Sequence, residues 1–198
     1  MKFNFFKYLL LASTSIFTGV GSLQAAVVIN LTGAQVFESN GVTPVADSRL
    51  MYAIALPSST FELITTSGWT SGDNIQIGLL WLTDNNVEIG GFSAALNFSL
   101  TGGVQAGQRF GMVWFPTIST QTGTPAGGLS YGFYSAPTWL IPADGNTENF
   151  AFETVSVGGT IPNSLWAANQ SVVPEPTTWA LLAGTLTTVM IFRRRRQA

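Results

Sequence analysis

The sequence predicts an all-β fold, an antiparallel sandwich or barrel-like ectodomain, set between an N-terminal signal helix and a single C-terminal transmembrane helix. Three observations lead to it. Between residues 27 and 157 the apolar residues fall into short runs or alternate with polar ones, which is the period of strands. Clusters of Gly, Pro, Asn and Asp separate these runs at close intervals, as hairpins require, so many short antiparallel strands are expected. Each end of the chain instead carries one longer apolar run with basic residues beside it, the pattern of segments that meet a membrane.

The elements follow in order. Val27–Leu31 reads as a strand closed by Thr32-Gly33, and Val36-Phe37-Glu38 as a short piece before the turn at Ser39-Asn40-Gly41. Arg49–Leu56 is almost continuously apolar and predicts a strand buried on both faces, with a helix as the alternative. Phe61–Ile64 fits a strand or a helical turn. Gly68–Asn74 is a loop, Ile75–Leu82 a strand, and Asp84-Asn85-Asn86 a turn. In Phe92–Leu100 the residues Leu96, Phe98 and Leu100 alternate with Asn97 and Ser99, the period of a half-exposed strand. Arg109–Phe115 is a second buried run, and Gly111 inside it marks a bulge or a close backbone approach. Thr117–Gly128 is a long loop rich in Thr, Gly and Pro. Leu129–Tyr134 and Phe150–Val155 read as strands, Pro137–Pro142 as extended chain, and residues 158–173 as a linker with a short ordered piece near Leu165-Trp166.

Residues 1–26 have the make-up of a secretory signal peptide. Lys2 and Lys7 precede an apolar stretch from Tyr8 to Val20, and Ala25 and Ala26 offer small residues for cleavage after either one. At the other end, Thr177–Phe192 is sixteen residues long. As a helix it would reach roughly 24 Å, short of the about 30 Å hydrocarbon core of a bilayer. Five of its residues are Thr, and Arg193, Arg194, Arg195 and Arg196 follow directly. Such an arginine cluster stops transfer and stays on the cytoplasmic side. Lysines at the front and arginines at the back therefore give one topology, with everything between them outside.

Charge is segregated. Six of the eight basic residues lie in the two ends, so the region 27–173 keeps Arg49 and Arg109 against nine acids, a net charge of −7. An acidic region with two scattered cations is a poor partner for nucleic acid. The chain has no cysteine and no histidine. That excludes thiol catalysis, cysteine metal sites and any triad built on imidazole. No cofactor or metal is expected.

Pro174, Glu175 and Pro176, then the short apolar span, then the terminal arginines form an ordered set. This arrangement resembles the PEP-CTERM sorting signal of Gram-negative bacteria that make extracellular polysaccharide, and the resemblance covers Val173 to Ala198. It implies that residues 174–198 are a sorting signal read by exosortase, a membrane-embedded processing enzyme thought to cleave near the motif. The implied route is export through the inner membrane, transient anchoring there, and delivery to the cell surface or extracellular matrix. The body also looks like a recurrent ectodomain type on such proteins, through Gly68–Asn74, Trp114-Phe115-Pro116, Tyr131–Tyr134 and the stretch Trp139…Gly145. That likeness implies no activity.

The chain thus divides into 1–26 signal peptide, 27–157 β-rich exported domain, 158–173 linker and 174–198 sorting signal. The expected role is that of an exported, non-enzymatic, structural or adhesive protein of an exopolysaccharide layer. One alternative is a carbohydrate-binding module with an aromatic face, for which Trp69, Tyr131, Tyr134 and Trp139, all bordering loops, are the candidates for stacking on sugar rings. Trp81 and Trp114 lie in apolar runs and are expected in the core. Another alternative is a polysaccharide-active enzyme using carboxylates, although no pair stands out among the acids. The loops Asp84–Glu88 and Asp144–Glu148 carry enough oxygen for calcium, but such clusters are the ordinary chemistry of solvated turns, and that reading is preferred. Arg49 and Arg109, each opening an apolar strand, are expected to pair with acids at the rim.

Overall fold

A computed structural model describes residues 25–33, 35–82, 91–152, 155–156, 159–160 and 167–174. The expected signal and membrane helices lie outside these residues, and among the described ones no helix is long and apolar enough to cross a membrane. The body is all-β. Its strands are β1 (Val27–Gly33), β2 (Leu50–Leu56), β3 (Ile75–Trp81), β4 (Phe92–Phe98), β5 (Arg109–Trp114), β6 (Ser130–Tyr134) and β7 (Thr147–Phe152), followed by the two-residue pieces β8 (Val155–Ser156), β9 (Gly159–Thr160) and β10 (Gln170–Ser171).

Two sheets form a sandwich-like body rather than a closed barrel. The larger runs β10-β6-β5-β2-β3 and the smaller β4-β1-β7, while β8 and β9 make a separate hairpin. The large sheet is antiparallel throughout, as is the pair β1–β4. The pair β1–β7 is parallel, with Ile29 opposite Glu148 and Leu31 opposite Phe150. This corrects the expectation of antiparallel pairing alone. A parallel neighbour cannot be joined by a hairpin, and here most of the body lies between the two strands. Alternation along β1 reads the same in either case, so the sequence pattern does not distinguish them.

The core between the sheets takes Val27, Ile29 and Leu31 from β1, Met51, Ala53 and Ala55 from β2, Phe92 and Leu96 from β4, and Phe110, Met112 and Trp114 from β5. The opposite face of the large sheet is buried too. There Leu50, Tyr52, Ile54 and Leu56 of β2 meet Val113, Phe115 and Tyr131 under a cover of irregular chain that includes Phe61, Ile64, Trp69, Ile118 and Val172. Every residue of β2 is consequently buried, as its continuous apolar run predicts. β1 alternates between buried and partly exposed positions instead, since only its inner face is covered.

Gly111 provides the expected close approach. A Cβ there would stand 2.6 Å from the Phe133 ring and 2.8 Å from the Tyr134 carbonyl oxygen. Phe61–Ile64 is neither strand nor helical turn. It is irregular chain leading to a single bridge between Thr65 and Val173. β7 begins at Thr147, earlier than its apolar residues suggest.

The stretch read as a linker is largely part of the body where it is described. β10 pairs with β6, with Gln170 opposite Tyr131. Ala168 and Val172 are buried, and the Ala168 N–H donates to the Phe37 carbonyl at 3.1 Å. Leu165-Trp166 lies outside the described residues.

Candidate functional site

The residues singled out by sequence fall at three places. Ala25 and Ala26 are exposed just before β1. The Ala25 N–H donates to Asp144 Oδ2 at 3.2 Å, and the Val28 N–H to the Asn146 carbonyl at 3.0 Å. The turn at 143–146 therefore steadies the chain where β1 begins, while Thr147 and Glu148 already belong to β7. The supposed oxygen-rich loop is a turn running straight into a strand. The other such loop, Asp84–Glu88, lies outside the described residues.

Pro174 is exposed at the end of the described chain, with Glu175, Pro176 and Arg193–Arg196 beyond it. It follows a stretch just past β10 that backbone bonds hold in place. The Val172 N–H donates to the Leu129 carbonyl (2.9 Å) and the Val173 N–H to the Ile64 carbonyl (2.9 Å), while the Val173 carbonyl accepts from the Thr66 N–H (3.1 Å).

The four aromatic candidates do not form one platform. Tyr131 is buried and Trp139 is 4% exposed; Trp69 and Tyr134 are half-buried. They also divide between the faces of the large sheet. Trp139 stacks on Phe110 (5.2 Å) and takes the edge of Tyr134 (5.1 Å) on the inner side. Trp69 stands edge-on to Phe115 (5.4 Å) on the outer side, near Tyr131, and its indole N–H donates to the Gly123 carbonyl at 2.8 Å. These rings hold the fold together. Trp114 is in the core as expected, but Trp81 is 48% exposed, next to Leu79 at 41% on the same outer face of edge strand β3. The run Leu79-Leu80-Trp81-Leu82 concealed this, because continuous apolarity carries no phase, and only Leu80 and Leu82 turn to the core.

Polar groups on the outer side serve the covering loops. The Tyr52 hydroxyl donates to the Trp69 carbonyl at 2.6 Å, and the Tyr131 hydroxyl accepts from the Ile64 N–H at 3.0 Å. Burial, with Tyr131 adding a smaller effect, holds the Tyr52 phenol far above its ordinary pKa. Burial also raises Tyr131, partly offset by the Ile64 N–H.

Among the described residues no three His, Cys, Asp or Glu side chains gather as a metal-ligand set. Glu62 and Asp73 share one rim: the Glu62 carboxylate lies against Gly72, and Asp73 accepts from Ser58 Oγ at 3.2 Å. Arg109 donates to the Ser59 carbonyl at 3.3 Å, a backbone partner where an acid was expected. A cleft of about 210 Å³ lies between Ser39–Gly41 and Ala167–Asn169, but the Asn40 side chain on its wall is already bonded to the Val42 and Thr43 N–H groups.

No family model matches this sequence, and no curated protein or solved structure matches it significantly.

Proposed function

We propose that this is an exported protein of a bacterial cell surface or extracellular matrix, sorted by a PEP-CTERM signal. On this reading its β-body is a structural or adhesive unit of an exopolysaccharide layer and not an enzyme. The observation that carries the reading is the order of parts at the C-terminus: Pro174-Glu175-Pro176, a weakly apolar span, and four terminal arginines. Two prolines keep the junction out of helix, as an enzyme that binds extended chain needs. The exposure of Pro174 is in keeping with this. Mass spectrometry of the mature protein from its host tests it. The expected product begins at Ala26 or Val27, ends near Pro174–Pro176, and lacks Arg193–Arg196. Recovery of the intact chain from the cytosol would overturn the proposal.

A second reading, binding of a glycan, is favoured by Trp81, whose indole is half open to solvent on a sheet face. It moves the candidate platform from Trp69 and Trp139 to Trp81 and Leu79. Saturable binding of the host's exopolysaccharide, lost in Trp81→Ala and kept in Trp69→Phe, is the expected result.

A further inference from the structure

The body meets the proposed sorting motif without a spacer, and the chain segments around Pro174 carry no charged side chain of their own, with Glu62 and Glu175 just outside them. Three segments come together at Pro174. The first is Leu63–Ser71, whose Ile64 carbonyl and Thr66 N–H bond to Val173. The second is Ala126–Ser130, whose Gly128 N–H donates to the Val172 carbonyl at 3.0 Å and whose Gly127 would place a Cβ 3.7 Å from Pro174 Cγ. The third is Ala167–Pro174 itself. None of the three contains Asp, Glu, Lys or Arg, and the whole stretch from Phe110 to Ala143 has none either. In a body of net charge −7 such a gap is an arrangement to be explained.

Distance supplies the reason. Pro174 is three residues from Thr177, where the apolar span begins, which is about 10 Å of extended chain. Headgroups add about 5–8 Å on each side of the hydrocarbon core. A body fastened at Val173 can stand no more than a few ångströms clear of that layer, which keeps the chain around Pro174 close against the headgroups. Carboxylates spread across that face would be repelled by anionic lipid and would lose hydration; Glu175, the one acid between the face and the span, belongs to the motif. Hydroxyl and amide groups such as Thr65, Thr66, Ser67 and Gln170 can bond to phosphate and glycerol oxygens.

We infer that this charge-free face around Pro174 is a lipid-headgroup contact surface, which seats the body on the bilayer until the chain is released. The inference rests on the proposed membrane insertion of Thr177–Phe192.

The chain has no cysteine, so single labels can be placed at will. Ser67→Cys and Ala126→Cys put exposed labels on the face. Ser93→Cys puts one on β4, which contacts β3 at the far edge of the large sheet. Four strand spacings separate β3 from β10, about 19 Å. Full-length protein is reconstituted in vesicles of phosphatidylcholine and phosphatidylglycerol bearing a headgroup quencher, and unchanged tryptophan emission shows that each variant is folded. Labels at 67 and 126 should be quenched several-fold more than the label at 93. A flexible Gly-Ser insert between Val173 and Pro174 should abolish the difference. Equal quenching at all three sites in protein that floats with the vesicles overturns this inference alone. Protein that does not float overturns it together with the proposed anchoring.

Discussion

The two faces of the large sheet are buried about equally but by different means. The inner face meets a second sheet, so strand packs on strand, with Val36, Val45, Val104 and Ile141 of the connecting chain completing the cluster. Its cluster is built from aliphatic residues with Phe37, Phe92, Phe110, Trp114 and Trp139. The outer face is covered by loops, whose N–H and C=O groups have no ladder to join. There the sheet and its cover supply polar side chains: the Tyr52 hydroxyl to Trp69, the Tyr131 hydroxyl to Ile64, Asn74 Nδ2 to the Glu62 carbonyl (3.1 Å), and Ser71 Oγ to the Thr65 N–H (3.2 Å). A face covered by irregular chain needs several amphipathic residues, where a face covered by a sheet needs few, chiefly the Trp114 indole bonded to the Phe37 carbonyl.

The largest expected effect belongs to the inner face. Trp114 is fully buried and its indole N–H reaches the Phe37 carbonyl at 3.3 Å. Trp114→Ala should cost about 3–5 kcal/mol in urea unfolding; a loss below about 1 kcal/mol would mean the two faces do not differ as described. Next comes Gly132→Ala, whose new methyl would run into the Trp114 ring. A loss of about 1–3 kcal/mol is expected, and combining it with Trp114→Phe should cost less than the sum of the two changes.

On the outer face, Tyr52→Phe should cost about 1–2 kcal/mol, because the Trp69 carbonyl loses its donor inside the body. It should also change the response to alkali. An unfolded phenol ionises near about pH 10, whereas Tyr52 and Tyr131 are held above that in the folded chain. Their contribution is complete below about pH 10 and is lost as pH rises further, since only the unfolded state then gives up protons. Melting temperature should fall above about pH 10, and less steeply in Tyr52→Phe; equal slopes would remove the explanation. The smallest effect is expected at Trp81→Ser, within about 0.5 kcal/mol, because the ring is half exposed on an edge strand.

This contrast also explains how far the sequence could be read. β2 and β5 were legible because burial on both faces leaves an unbroken apolar run, and Gly111 because a glycine inside such a run has few other uses. The start of β7 was hidden by Thr147, Glu148 and Asn149, polar residues in a strand of the smaller sheet; Asn149 accepts from Asn30 Nδ2 at 2.8 Å. Ala167–Val173 was hidden because the two-residue β10 and the backbone bonds on either side of it leave little side-chain pattern. The aromatic candidates were misplaced for a related reason. Proximity to a loop suggests exposure, but on the outer face the loops are the cover.

The parallel pairing of β1 with β7 governs when the fold can be completed. The first strand to be made has its neighbours at residues 92–98 and 147–152, so Val27, Ile29 and Leu31 wait for nearly the whole body before they are sheltered. Contacts so distant along the chain are slow to form, and an apolar strand left waiting is prone to bind another molecule like itself. A nascent polypeptide that stops short of Thr147 is thus expected to be held by a chaperone or to aggregate.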